Sequence, residues 1–440
     1  MTLRITTRVA AVDEALRPHV RWTSLGISPM MVGEDSMPLL KALGLAAVSA
    51  ALLQAPAPAQ YVHTNGRQIV DASGKPLLLH GINLGNWMVT EGYMWHFEGG
   101  PQSEREIEEF VTEMLGPDGA ADFWRSYRDT YISREDIHRI KQAGFDSIRI
   151  PIHWKFFTTP DAEGWKLLDR VIGWCRQEGL LVVIDLHAAQ AGQTGANIDD
   201  SNGWPWLYTD AVAQQATSDL WKNIAHRYRD NPAVLGYDLL NEPLPHYPAM
   251  RQFDSKLEPL YKRFTAAIRT EDKHHAIILG GAKWDSDFTV FGPPFDANVI
   301  YQFHTYWTPP EQATVQKYID FREKNNVPIW LGESGENQDE WIAQFARLLE
   351  KNDIGWAFWP YKKMDATSSP VTFPQPEHWA EIVAYAKLGR NLSDVEKRQA
   401  QRPGQAVIDR AFASLLENIQ FAHETVNSGY IHALLPMSPR

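Results

Sequence analysis

The chain is 440 residues long, 44% hydrophobic and 22% charged, with a formal net charge of −12. That length makes one large domain or two ordinary ones with ample core, and the acidity argues against nucleic acid or an anionic membrane surface as a partner. A single cysteine, Cys175, excludes an intrachain disulfide framework and a cysteine-based metal cluster, while 17 Trp, 15 Tyr and 18 Phe point to a heavy core or to flat platforms for a flat-faced ligand such as a sugar.

The first feature along the chain is an apolar run, Leu39 to Leu53, too short to span a bilayer. Met37 and Lys41 supply a start and a positive charge, and Ala57 and Ala59 fit a small-x-small cleavage site. The pattern predicts a secretory signal peptide over 37–59, with 1–36 as upstream sequence outside the mature protein. Export to a periplasm or out of the cell is then expected. No membrane anchor is expected, since no cysteine follows the cleavage site to carry a lipid. A buried N-terminal helix is the alternative.

Tyr61–His63 and Gln68–Val70 flank Asn65-Gly66, a hairpin signal. Short apolar runs then recur: Leu77–Leu84, Ser147–Ile152, Leu181–His187, Val234–Asn241, Ala276–Gly280, Val299–Tyr306, Pro328–Glu333 and Gly355–Trp359. Amphipathic stretches lie between them. Ser133 with Asp136 forms a capping box before Ile137 and Ile140, and Gly144 ends that helix. Glu163–Gln177 is a helix whose Leu168, Ile172 and Cys175 share a face, so the thiol is expected in the core rather than at work. Trp221–Arg229, Phe253–Arg269, Trp341–Leu349 and His378–Leu388 carry similar patterns.

Eight strand–helix units with strands apolar on both faces imply an α/β fold, a parallel (β/α)8 barrel over 60–389. A doubly wound open sheet is the competitor, but Gly81-Ile82-Asn83-Leu84-Gly85 lacks the phosphate-loop pattern that usually follows its first strand. Beyond Leu388 the composition turns polar. Val407, Ala411, Leu415 and Ile419 repeat at helical spacing, which predicts an added helix within a C-terminal extension, 390–440, on the outside of the barrel.

In such a barrel the chemistry belongs at the carboxyl ends of the strands. Six ends carry costly residues: Arg149, Asp185 with His187, Asn241-Glu242, His304 with Tyr306, Glu333 and Trp359. Glu242 and Glu333 close the fourth and seventh strands, across the barrel mouth from each other. Two carboxylates facing over a cleft suit glycoside hydrolysis, at about 5–5.5 Å apart for retention and wider for inversion. An ionised nucleophile wants a cation and donors, and Arg149 and Tyr306 are candidates beside Glu333. An acid near neutral pH wants an apolar wall and a facing negative charge, as Glu242 could have. Asn241 and Glu242 would point to opposite faces of a strand, so a bulge before Pro243 is expected to turn both inward, leaving the Asn241 amide free for a sugar 2-hydroxyl. Trp359 is expected as a floor, ahead of a proline where a cis bond costs little. Trp204 and Trp206 project from the loop after the third strand, with core burial an even alternative for Trp206.

At these residues the chain resembles glycoside hydrolase family 5, the retaining cellulase-like barrels, over roughly Tyr61 to Leu388. The family has an arginine after strand two, a histidine after strand three and Asn-Glu-Pro after strand four. His-x-Tyr on strand six, Gly-Glu after strand seven and a tryptophan on strand eight complete it. Arg149, His187, Asn241-Glu242-Pro243, His304 with Tyr306, Glu333 and Trp359 match in order. The resemblance implies β-glucan hydrolysis by double displacement, with Glu242 as acid/base, Glu333 as nucleophile, and neither metal nor cofactor; a monomer is expected.

Asn83-Leu84-Gly85-Asn86-Trp87 is similar to the Asn-Leu-Gly-Gly-Trp stretch of the family's exo-β-1,3-glucanases, with Asn86 in place of the second glycine and expected near substrate. The loop Gln190–Trp206 and the tail depart from that subgroup. An endo-β-1,4-glucanase, another β-glycosidase of the family and a transglycosylase therefore stay open. A metal hydrolase using His187, His304 and a glutamate lacks a paired His motif, and a non-catalytic sugar-binding protein would have lost a glutamate.

Overall fold

The computed structural model describes residues 61–389 and 395–435; the leader read over 37–59 lies outside them. Strands β1 (His63–Asn65) and β2 (Gln68–Val70) form the expected antiparallel hairpin, with Thr64 opposite Ile69. Eight strands then close a parallel barrel. They are β3 (His80–Asn83), β4 (Ser147–His153), β5 (Leu181–Ala188), β6 (Val234–Asp238), β7 (Ala276–Gly280), β8 (Val299–His304), β9 (Ile329–Glu333) and β10 (Gly355–Phe358). All seven residues of β4 and all five of β7 are buried, as strands covered on both faces require.

Val62 and Ile69 of the hairpin pack with Val183, Leu235, Ile300 and Trp330 near the strands' amino ends, so the hairpin plugs the bottom of the barrel. Each such side chain contributes about 1.5–3 kcal/mol by burial. That leaves the carboxyl-end loops as the open face.

The helix Arg134–Ala143 opens on the predicted capping box and stops at Gly144, whose φ is 103°. Cys175 lies in the core, and burial raises its thiol pKa. A long helix, Glu104–Thr130, has no counterpart in the sequence reading. It bends at Gly116, where φ is 73°, and Pro117 follows. Among the described residues no helix is long and apolar enough to cross a membrane.

The tail is more than the single helix expected. Gln405–Asn418 is flanked by helices Val395–Gln401 and Ser428–Leu434. The buried face of Gln405–Asn418 is Ile408, Ala411, Phe412 and Leu415, with Val407 only half-buried, because the helix packs through Phe412 against Phe123 and Trp379. A small sheet, β11 (Lys362–Met364), β12 (Val371–Phe373) and β13 (Thr425–Val426), ties the tail to the barrel. Beneath it Lys362 is fully buried, donating to the carbonyl of Tyr131 at 2.6 Å and paired with Asp136 and Glu424.

Candidate active site

Arg149, on β4, organises one half of the barrel mouth. Its Nε donates to Asp238 Oδ2 (2.8 Å), Nη1 to Asn83 Oδ1 (3.1 Å) and Glu333 Oε1 (2.5 Å), and Nη2 to Asn241 Oδ1 (2.9 Å). Asp185 Oδ1 lies 3.0 Å from Nη2 as an ion pair, so the fork makes four hydrogen bonds and meets a third buried carboxyl by charge alone. Burial works against the guanidinium, but Asp185, Asp238 and Glu333 outweigh it and hold its pKa above the ordinary value. Burial in turn lifts Asp185 and Asp238 to about 7, with Arg149 opposing.

Glu333 ends β9 and takes a second donor, the Tyr306 hydroxyl at 3.0 Å. His304, at the end of β8, places Nδ1 3.0 Å from Glu242 Oε1 and 3.6 Å from Glu333 Oε2. One ligand atom each of Glu242, His304 and Glu333 lie within 4.8 Å of one another, so the two carboxyls stand close together at the barrel mouth. His187 is outside that trio: Nδ1 meets Asp185 at 2.8 Å, and the Asn241 amide lies 3.3 Å from Nε2. Among the described residues the trio close enough to share an ion is therefore Glu242, His304 and Glu333, not a set that includes His187.

Glu242 is held differently. β6 stops at Asp238, and Glu242 has a φ of 42° beyond it, with Leu244 at 57°. The only register shift between β5 and β6 sits at Val182/Val183, near the start of the strand. A left-handed backbone at Glu242 itself, rather than the expected bulge, re-aims the side chain after Asn241. Such a conformation costs an ordinary residue on the order of 1–3 kcal/mol and clusters at functional sites. The Glu242 N–H donates to Asp285 Oδ2 at 3.1 Å. Burial pushes the Glu242 carboxyl up to about 7, against the pull of His187 and Arg149.

Trp359 is buried, lies parallel to His187 at 5.5 Å, and donates from Nε1 to the Tyr93 hydroxyl at 2.7 Å. The Trp359-Pro360 bond is cis. Gly85 makes room for the indole, since a Cβ there would sit 2.6 Å from the ring.

Two expected contact residues lie elsewhere. Asn86 has a φ of 60°, a conformation asparagine tolerates nearly as glycine does, and it is buried. Its Oδ1 accepts from Trp95 Nε1 at 3.0 Å and from the Glu91 N–H at 3.3 Å, so it is scaffold. Trp204 packs edge-on against Phe253 at 5.7 Å, whereas Trp206 is 54% exposed, so of the pair it is Trp206 that is free to meet a ligand.

The sequence reading missed several residues. Asp238 and Gln302 buttress Arg149, the Gln302 amide donating to Asp238 at 2.6 Å. An acidic side chain inside an apolar strand was the available signal. Glu91 is buried in the mouth, and burial followed by Glu333 and Glu242 raises its carboxyl well above the usual range. Tyr93 donates to Glu336, which pairs with Lys363. Tyr247 and Trp307, 48% and 72% exposed, join Trp206 on loops of the carboxyl-end face.

A parallel eight-stranded barrel with facing glutamates at its mouth is the architecture of a glycoside hydrolase. The family model for Cellulase (glycosyl hydrolase family 5) matches residues 107–365, and the chain belongs to that family. A Beta-xylosidase of Phanerodontia chrysosporium is 27% identical over 345 residues, covering 69% of this chain and 71% of that protein. A probable glucan 1,3-beta-glucosidase A of Aspergillus fumigatus is 33% identical over 273 residues, 58% of this chain and 64% of that protein. Endoglucanase C of Acetivibrio thermocellus is 26% identical over 311 residues, 55% and 88%. Among solved structures, AoRut superposes with a TM-score of 0.55 at 18% identity, covering 69% of this chain and 91% of that one, a likeness of fold.

Proposed function

We propose that the protein is a retaining hydrolase of β-glucans with exo-β-1,3-glucanase-like action. The observation that carries the mechanism is the Glu242–Glu333 gap, which is within 4.8 Å between donor atoms and matches the shorter of the two carboxylate spacings. Glu333, held by Arg149 and Tyr306, attacks the anomeric carbon while Glu242 gives its proton to the glycosidic oxygen. The C1–O bond to the leaving group breaks and an ester to Glu333 forms. Glu242 then takes a proton from water, which opens the ester and restores both carboxyls. The Asn241 amide and the Trp359 face serve the sugar's 2-hydroxyl and CH groups.

The exo reading is supported by the 33% identity to a probable glucan 1,3-beta-glucosidase and by the compact loop after β5. That loop is pinned on buried Asp199, which accepts from Gln193 N, Thr194 N and the hydroxyls of Thr194 and Ser201. A loop so fixed can wall off one end of the cleft. The second reading, an endo-β-1,4-glucanase, is favoured by the match covering 88% of Endoglucanase C.

Product analysis of protein beginning at Gln60, on β-1,3-, β-1,4- and mixed-linkage glucans, mannan and aryl glycosides, tests both. Single glucose units from β-1,3-glucan are expected; mixed oligosaccharides from a β-1,4 polymer would overturn the exo reading. Export is part of the proposal, and an exported form whose N-terminus is other than Gln60 would count against the leader.

A further inference from the structure

The turn after β7 is unusual. Lys283, Trp284 and Asp285 are consecutive non-glycine residues with φ of 57°, 59° and 57°, a left-handed turn with no glycine in it. Single left-handed residues are ordinary in turns; three in succession persist only when the surroundings over-determine them. The result is that Asp285 is folded inward and fully buried. Gly280, the last residue of β7, clears the space for it, because a Cβ there would lie 1.9 Å from Asp285 Oδ1.

Both oxygens of Asp285 have defined surroundings. Oδ2 accepts the Glu242 backbone N–H at 3.1 Å and lies 3.4 Å from His304 Nε2. Oδ1 has no hydrogen-bond partner, and neither has His304 Nε2. The other ring nitrogen, Nδ1, is the one 3.0 Å from Glu242 Oε1. One imidazole thus stands between two carboxyls, hydrogen-bonded to Glu242 at Nδ1 and in 3.4 Å contact with Asp285 at Nε2.

A neutral imidazole carries one N–H, and its other nitrogen is an acceptor. If Nδ1 held the proton it would donate to Glu242 and favour the carboxylate. If Nε2 holds it, Nδ1 can only accept, and Glu242 Oε1 must bring the hydrogen. Resting on the assignment of Glu242 as acid, we propose that Asp285 is its positioning residue: Oδ2 anchors the Glu242 backbone and receives the Nε2 proton of His304, so that Nδ1 presents a lone pair and Glu242 keeps its proton.

The arrangement works in either protonation state of Asp285. Oδ2 already accepts a backbone N–H, so a proton on this carboxyl belongs on the unpartnered Oδ1, and Oδ2 remains an acceptor toward Nε2. Burial, then Asp238 and Glu242, raise Asp285 well above the carboxylate range, and burial lowers His304 to about 3, which leaves the imidazole neutral near pH 7. Charged or titratable groups facing Glu242, besides His304 and Asp285, are His187, Arg149, Glu333, Glu91, Asp185 and the phenol of Tyr306. Those around His304 and Asp285 are Glu333, Arg149, His187, Asp238 and the phenols of Tyr208, Tyr261 and Tyr318. Substitution at Asp285 leaves all of these in place.

Two variants separate an acceptor from a mere filler. Asp285→Leu removes the acceptor, and Asp285→Asn keeps an oxygen at the Oδ2 position. The readout is the alkaline limb of kcat/KM for phenyl β-glucoside, whose leaving group needs an acid. In Asp285→Leu the limb is expected to fall by roughly one pH unit with KM unchanged, while 2,4-dinitrophenyl β-glucoside is unaffected. Asp285→Asn should restore the limb. An unmoved limb in folded Asp285→Leu, or an equal shift in both variants, overturns the proposal. Should the leucine variant not fold, histidine 15N NMR of the wild-type protein decides: His304 protonated at Nε2 between pH 6 and 7 is required, and the Nδ1–H tautomer overturns it. That spectrum reads no turnover, whereas failure of azide to rescue Glu242→Ala would sink the assignment of the acid and leave the tautomer standing.

Discussion

The two halves of the barrel mouth hold the same side chain in opposite ways. Glu333 is a regular strand residue at the end of β9, and its carboxylate is met by the Arg149 fork and the Tyr306 hydroxyl. Glu242 stands past the end of β6 on left-handed backbone. Its main chain is anchored by Asp285, and its carboxyl is pushed up to about 7 by burial. On the proposed mechanism one half stabilises a charge with donors, and the other withholds solvent and keeps a proton. The difference teaches that environment, not residue type, divides the labour between paired carboxyls.

The strongest way to break that comparison is to remove the charge from the donor-held half. Glu333→Gln should reduce turnover on the order of 10⁴–10⁶-fold and leave no covalent intermediate detectable by mass spectrometry of the protein after substrate quenching. Normal turnover would mean that the Arg149 fork serves stability alone.

Removing the proton-holding half should cost less and depend on the substrate. Glu242→Ala is expected to lose about 10²–10⁴-fold on substrates with poor leaving groups, and azide should restore part of the rate on activated aryl glycosides. Equal losses on both classes without rescue would make the two halves alike. The wild-type pH profile tests the same point. An acid works while protonated, so activity should fall as pH rises through about 7, the value to which burial lifts Glu242. An alkaline limb near the ordinary glutamate range would contradict it.

Next in size is Arg149→Lys. A lysine offers three rotatable donors in place of five in a fixed fork, so at least one of the four bonds to Asn83, Asp238, Asn241 and Glu333 is lost. A fall in kcat of about 10²-fold with KM nearly unchanged is expected, together with a lower melting temperature, read by steady-state kinetics and calorimetry. An unchanged kcat would make the fork purely structural.

The donor-held half was also the more legible in sequence, for a physical reason. Its members stand on or next to strands whose apolar run and burial on both faces mark them, and the expected run Pro328–Glu333 differs from β9 by one residue. The strand before Glu242 was read to Asn241 because Leu239 and Leu240 extend the apolar run, yet the backbone leaves the ladder at Asp238. Asp285 carries no local mark: its left-handed turn contains no glycine, and it is imposed by tertiary contacts. The helix Glu104–Thr130 is hidden because Gly116-Pro117 interrupts its apolar periodicity, whereas in the tail helix Ala411, Leu415 and Ile419 are buried as expected and only Val407 turns partly outward. What the chain encodes locally could be read; what packing imposes on a stretch with no breaker residues could not.

The smallest effect concerns a left-handed residue in the donor-held half. Asn86, at φ 60°, follows β3, whose Asn83 supports Arg149. Unlike Glu242 it turns no carboxyl into the cleft; its Oδ1 accepts from Trp95 and Glu91 behind it. Asn86→Gly keeps the backbone without strain but leaves the buried Trp95 N–H unpaired, which costs about 1–3 kcal/mol before the relief of the left-handed side chain is counted. A melting temperature lower by about 2 °C with kcat and KM within twofold is the expected outcome. A tenfold loss of kcat/KM at an unchanged melting temperature would instead bring Asn86 into contact with substrate, and left-handed backbone would then mark ligand contacts on both sides of the mouth rather than only beside the proton-holding glutamate.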